Sequence, residues 1–160
     1  MLNLNLKKGV VRLAIGSDED EIVRLSNLFH DEYLAGHLGE FDEESLRKMF
    51  KFFQQDPLKT VIVAELSGDL IGCVVGYISP CFFNLSKKWA QETMWYVEKA
   101  ERKTGIGAKL LLAFEEWAKA MNADYIDMIH IENEDSKDLG LFYQKVGYTP
   151  AERHFVKGVI

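Results

Sequence analysis

Met94-Trp-Tyr-Val-Glu-Lys-Ala-Glu-Arg-Lys-Thr-Gly-Ile-Gly-Ala-Lys-Leu-Leu-Leu-Ala-Phe-Glu-Glu-Trp-Ala-Lys-Ala-Met121 decides how the rest of this sequence is read. It begins as an apolar strand, passes through a basic turn punctuated by glycine, and ends as a long amphipathic helix. Leu110, Phe114, Trp117 and Met121 recur at helical spacing, with Leu111 and Ala118 beside them. Glu115 and Lys119 are spaced for an i,i+4 pair on the outer face. Gly105 and Gly107 fall where the helix should start, so its first amides lie open under a loop carrying Arg102 and Lys103. Open amides, the positive end of the helix dipole and nearby cations together suit a phosphate group.

The pattern is neither of the two commonest glycine-rich phosphate motifs. No Gly-Lys-Ser/Thr follows, as nucleotide hydrolases require, and Leu110 stands where the dinucleotide pattern needs a third glycine. Arg102-x-x-Gly105-x-Gly107-Ala108, placed five residues after the Tyr96-Val97 strand end, instead resembles the pyrophosphate motif of the GNAT N-acetyltransferase superfamily. A second stretch, Leu141-Phe-Tyr-Gln-Lys-Val-Gly-Tyr148, resembles that family's "Leu-Tyr-Glu-Lys-Leu-Gly-Phe" signature near the C-terminal end. Certain phage-encoded members are also similar around Ser79–Pro80, Phe82–Phe83–Asn84 and Trp95–Tyr96–Val97.

Composition sets the frame around these motifs. A chain of 160 residues, 48% hydrophobic and 28% charged, fits one soluble globular domain spanning 1–160. Two cysteines, Cys73 and Cys81, suggest neither a disulfide framework nor a zinc site, and a reducing cytoplasm is the expected location. No signal peptide or membrane span is expected. A net charge of −6 argues against general nucleic-acid binding. Between Gly16 and Asp56 eleven acids face four bases, which is either an acidic rim attracting a cationic amine or two solvated helix faces.

In chain order, Val10–Ile15 alternates as a first strand, and Ser17 with Asp20 and Glu21 signals a helix burying Ile22, Leu25, Leu28 and Phe29. A second helix starts near Asp42, carries Leu46, Phe50 and Phe53 inward, and is closed by Pro57. Val61–Leu66 and Leu70–Ile78 form a hairpin across Ser67-Gly68-Asp69. Ser79–Ala90 reads as a long aromatic connector in which Phe82, Phe83 and Trp89 either pin the loop or wall a substrate pocket. Gln91–Glu98 resumes as a strand. Tyr125–Ile131 is another, and Asp135 or Ser136 could cap a helix burying Leu139, Phe142, Tyr143 and Val146 until Gly147. His154-Phe155-Val156 suggests one or two closing strands. The expected fold is α/β with a central mixed, mainly antiparallel sheet and helices on both faces, which is also the GNAT fold.

The resemblance implies acetyl-CoA as acyl donor, held in a V-shaped opening between the strand ending at Val97 and Tyr125–Ile131. Backbone groups of Tyr96 and Val97 would bond the pantetheine and acetyl oxygen, the segment Arg102, Lys103, Thr104, Gly105, Ile106, Gly107 and Ala108 would take the pyrophosphate, and Ser136 would touch the pantetheine. Tyr143 matches the tyrosine that protonates the leaving thiolate, although a helical tyrosine can equally be a packing residue with a backbone partner. The base is Glu92 or Glu98. Alternation gives Gln91, not Glu92, the same face as Val97, so Glu92 needs a bulge or a water chain. His30, His37, His130 and His154 lack metal-ligand spacing, so no metal is expected. Lys99, Glu101, Lys103 and Ser136 depart from the family pattern.

The implied reaction is acetyl transfer to a primary amine of a small molecule or protein, with a homodimer as the expected assembly if there is one. The alternative is a GNAT-fold module that binds coenzyme A or a partner without turnover. A toxin acting on aminoacyl-tRNA is disfavoured by the acidic balance.

Overall fold

The computed structural model describes residues 9–36, 38–131 and 137–159. Five strands, β1 (Val10–Leu13), β2 (Lys59–Leu66), β3 (Asp69–Cys81), β4 (Asn84–Val97) and β5 (Tyr125–Asp127), lie side by side in chain order. β1 to β4 pair antiparallel; β5 pairs with β4 in parallel, as the crossover through a helix demands. The helices are α1 (Glu19–Tyr33), α2 (Glu43–Gln55), α3 (Ile106–Ala120) and α4 (Lys137–Lys145).

Two cores follow from strands buried on both faces. In β2, Val61 and Val63 pack under α1 and α2 with Ile22, Leu25, Phe29 and Phe50, while Ile62 and Ala64 pack under α3 with Ile106, Leu110, Phe114 and Ala118. That is why Val61–Ala64 is an unbroken apolar run. Phe114 lies so close to β3 that a Cβ at Gly76 would sit 2.6 Å from its ring. The hairpin turn is Ser67-Gly68, both at positive φ, as a two-residue turn between twisted strands requires. Asp42 caps α2 through the amides of Glu44 and Ser45, and α2 stops at Gln55, ahead of Pro57.

Several expectations change. The signal at Ser17 resolves as a short 3-10 turn before α1, and Asp18 accepts two hydrogen bonds from Arg12, at 2.7 and 3.0 Å, in place of a helix cap. Leu28 is partly exposed. Glu115 is reached by the Tyr148 hydroxyl at 2.9 Å. The caps proposed at Asp135 and Ser136 lie outside the described residues. Residues 148–159 contain no strand, and Phe155 and Val156 are exposed, so the alternation at His154–Val156 does not produce a closing strand. Alternation makes a strand only where an edge supplies a ladder, and β5 offers three residues.

The connector is the largest difference. Ser79–Ala90 is not a loop but the outer part of the β3–β4 hairpin, turning at Phe82-Phe83 between paired Cys81 and Asn84. Pro80 fits there because β3 has no β2 partner beyond Tyr77, an edge position where proline is tolerated. Phe82 and Phe83 are 87% and 92% exposed, so they neither pin a loop nor wall a pocket. Trp89, three residues before Glu92, packs against Tyr125 with the rings tilted and their centroids 4.9 Å apart. A Phe83→Ala protein is therefore expected to keep its melting temperature and its kinetic constants. The change in stability should stay within about 0.5 kcal/mol, and a larger loss in thermal melts would place the ring in a core.

Candidate active site

The site grows out of one irregularity in β4. Ala90 packs in the core under α3, yet Met94, four residues on, packs on the α1 face, so one residue between them breaks the alternation. The register shows where. Gly76 pairs with Glu92 and Val75 with Met94, leaving Thr93 without a partner in β3. This bulge brings Glu92 to the same side as Trp95 and Val97. On alternation alone Glu92 needed a bulge or a water chain to act at the cleft, and the strand contains the bulge.

β4 and β5 stop pairing at Gln91–Asp127, while β4 runs on to Val97. The opening expected between the two segments therefore starts at Glu92. At its apex two side chains hold one stretch of backbone: Glu92 Oε2 accepts the Ile129 N–H at 2.9 Å, and the Tyr143 hydroxyl donates to the Ile129 carbonyl at 3.2 Å. Both side chains are buried, at 5% and 6% exposure. Burial is the main reason the Glu92 carboxyl is pushed up to about 8; the Ile129 amide opposes that rise and Asp127 adds to it. Burial likewise holds the Tyr143 phenol well above its ordinary range, with Glu92 and Tyr148 contributing. Glu98 is elsewhere: it binds Arg24 of α1 at 2.6 Å.

The glycine loop lies at the far end of β4. Gly105 takes φ +83°, a left-handed conformation that glycine permits, and α3 begins at the next residue. Lys109 is the first residue of this turn to bond back, to Gly105 O at 3.2 Å, so the amides of Ile106, Gly107 and Ala108 have no partner within the helix. The Ile106 side chain is buried in the core under α3, which leaves its backbone for a ligand. Lys103 is exposed beside this helix end. Gly107 faces Trp95, whose ring lies 5.8 Å from Tyr143 and 6.3 Å from Phe142. The Trp95 indole nitrogen is buried with no hydrogen-bond partner among the described residues, although a buried donor ordinarily finds one.

Arg102 does not join this group. Its guanidinium turns to α1 and binds both oxygens of Glu32. Tyr96 points to the α1 face, so only its backbone is available on the cleft side. His130 lies against Gly140 of α4. Among the described residues no group of three or more His, Cys, Asp or Glu could hold a metal ion, and no helix is long and apolar enough to cross a membrane. Ser136 lies outside the described residues. Sequence reasoning missed Trp95, Ile129 and Glu32. Trp95 could have been found from its place two residues before the strand end; the other two act through backbone or through a distant partner and leave no local signal.

A helix start with open amides and a buried acid–phenol pair thus occupy the same side of β4. The fold agrees with several solved structures. One is a transcriptional regulator from Bacillus halodurans C-125, with TM-score 0.77 and 19% identity over 94% of this chain and 99% of that one. Another is glucosamine-6-phosphate N-acetyltransferase from Arabidopsis thaliana, with TM-score 0.73 and 16% identity over 94% and 98%. A third is ribosomal-protein-alanine N-acetyltransferase from Brucella melitensis biovar Abortus 2308, with TM-score 0.70 and 18% identity over 94% and 99%. No curated protein matches significantly by sequence. The match to the Acetyltransferase (GNAT) family runs over residues 22–148, covering both motifs and the cleft between them, and this chain therefore belongs to that family of acyltransferases.

Proposed function

We propose that the protein moves an acetyl group directly from acetyl-CoA to a primary amine of a small molecule or a protein. The observation that carries this reading is the placement of the open α3 amides, the unpartnered Trp95 indole N–H and the Glu92–Tyr143 pair along one side of β4. The residues fit the donor. The amides from Gly105 to Ala108, with Lys103, suit the pyrophosphate. The part of β4 beyond its last β5 partner, with Trp95, offers donors to the pantetheine amides.

In the proposed reaction the amine nitrogen bonds to the acetyl carbon, the carbon–sulfur bond breaks, and the nitrogen gives up a proton while the thiolate gains one. Glu92 accepts the first proton. With its carboxyl raised to about 8, it is a stronger base than an ordinary glutamate toward the attacking amine. That amine enters neutral, its ammonium form of pKa about 10.4 having first lost a proton to solvent. Tyr143, held un-ionised by burial, supplies the second by exchanging its bond to Ile129 O for one to the sulfur. Tyr143→Phe keeps the ring and its packing against Trp95 and Tyr148. General-acid assistance is worth about 10²–10⁴-fold, so kcat is expected to fall at least about tenfold even where water substitutes. Acetyl-CoA affinity should change by less than about 1.5 kcal/mol. Single-turnover kinetics check this; an unchanged chemical step leaves Tyr143 as a packing residue.

The deciding experiment is calorimetric titration with acetyl-CoA, followed by amine-pool turnover read by free thiol. No binding overturns the proposal. Binding without turnover on any amine favours the other reading, a coenzyme-binding module.

A further inference from the structure

Arg102 opens the glycine motif, yet three of its N–H donors are committed away from the α3 amides. Nη1 and Nη2 each donate to one Glu32 oxygen at 2.7 Å, and Nε donates to the Val97 carbonyl at 2.9 Å. The Tyr96 and Tyr33 rings flank the guanidinium at 5.4 and 5.9 Å. The Glu32 carboxylate, 15% exposed, also lies 3.4 Å from the Tyr96 hydroxyl and 3.8 Å from Lys99 Nζ. Apart from Tyr33 in α1 itself, its partners all come from the end of β4 or the loop behind it.

A second bridge runs beside the first. Arg24 of α1 binds Glu98 at 2.6 Å and the Leu70 carbonyl at 2.8 Å. Arg24, Glu32 and Glu98 line, with Leu28, Tyr96 and Ala100, a cavity of about 540 Å³ between α1 and the loop. Directed ion pairs therefore set how α1 meets the phosphate loop, and a two-pronged, partly buried pair is the kind that holds geometry.

We propose that Glu32 is a positioning residue for coenzyme binding: it holds Arg102 on the end of β4 and so fixes the loop whose amides take the coenzyme phosphates. This rests on the acetyl-CoA reading of the site given above. It assigns the phosphates to backbone amides and Lys103, and gives Arg102 the task of bracing the loop from behind. Burial alone would raise the Glu32 carboxyl, but hydrogen bonds from Arg102 and Tyr33, with the charges of Arg102 and Lys99, hold it below its ordinary value. The brace stays ionised at neutral pH.

Glu32→Gln, Glu32→Asp and the exchanged pair Glu32→Arg/Arg102→Glu test this. Glu32→Gln is expected to weaken acetyl-CoA binding about tenfold, or about 1.4 kcal/mol. KM for acetyl-CoA rises by the same factor while kcat holds within about twofold, the pattern of lost binding without lost chemistry. Glu32→Asp recovers part of the affinity and the exchanged pair recovers most of it. Glu44→Gln, in the exposed Glu44–Lys48 pair, is the control and changes nothing. Amide hydrogen exchange over residues 99–108 without coenzyme is faster in Glu32→Gln than in the wild type. Should Glu32→Gln fail to fold, Arg102→Lys carries the same expectation, since it keeps the charge and loses the fork. Unchanged affinity together with unchanged exchange overturns the proposal. So does tighter binding, which would make Glu32 a competitor for Arg102. If the wild type itself does not bind acetyl-CoA, the donor assignment has failed, and the exchange comparison alone decides whether Glu32 orders the loop.

Discussion

Gly107→Asp is expected to yield a folded protein with acetyl-CoA affinity reduced at least about a hundredfold, which corresponds to about 2.7 kcal/mol. The fold tolerates the side chain. A Cβ at Gly107 meets Trp95 and Val97 at 3.4 and 3.7 Å, ordinary contact distances, and the backbone there needs no positive φ. A carboxylate in the first turn of α3 also suits the helix dipole by up to about 1 kcal/mol, so thermal stability should hold or rise. The same carboxylate faces the incoming phosphates as a like charge and takes the amides they need. Loss of binding without loss of stability separates a ligand effect from a folding effect. Calorimetry on Gly107→Asp, with Gly107→Ala as the steric control, reads it directly. Wild-type affinity in folded Gly107→Asp would remove the pyrophosphate from the start of α3.

Glu92→Gln is expected to lower kcat/KM about 10²–10⁴-fold and to abolish the pH dependence that the carboxyl imposes. The folded protein keeps this carboxyl protonated up to about 8, so the wild-type rate climbs with pH through that value and levels above it. Stability moves the other way. A carboxyl raised from 4.5 to about 8 by burial contributes stability that is full below pH 4.5 and is lost as pH rises through about 8. Glutamine cannot ionise and still offers an oxygen to the Ile129 N–H. The melting temperature of Glu92→Gln should therefore lose the decline that the wild type shows between pH 4.5 and about 8. A variant whose rate profile and melting profile both track the wild type would leave Glu92 as a fastener between β4 and residues 128–131.

Where a signal is local, the sequence carries it. Gly105 and Gly107, the Leu110–Phe114–Ala118 stripe, the Ser67-Gly68 turn and Asp42 ahead of α2 each act on neighbours within a few residues, and each is found in the expected place. What fails is what depends on distant partners. Arg102 is drawn to Glu32, seventy positions away, by a fork-to-carboxylate match that no spacing reveals. Phe82 and Phe83 have the composition of a pocket wall, but the paired strands beneath them carry the rings out to the hairpin tip. His154–Val156 alternates like a strand and has no ladder to join. Glu92 stands between these cases: two alternating runs on opposite parity implied a bulge if the residue was to face the cleft, without showing where it would fall.

Side-chain direction along a strand depends only on whether a residue count is odd or even, and between Ala90 and Val97 β4 changes that parity once, at Thr93. Gly76 and Val75 already pair with Glu92 and Met94 as successive partners, so Thr93 is the one surplus member of the count. A deletion there leaves Ala90 and Glu92 on the side of Trp95 and Val97, with Met94 and Tyr96 opposite. A deletion at Glu92 or Met94 also restores the alternation, but it puts Thr93 in place of a side chain that is buried or partly buried. Over that stretch, Thr93 is the place where this strand can shorten over evolutionary time with every inward side chain kept and none turned over.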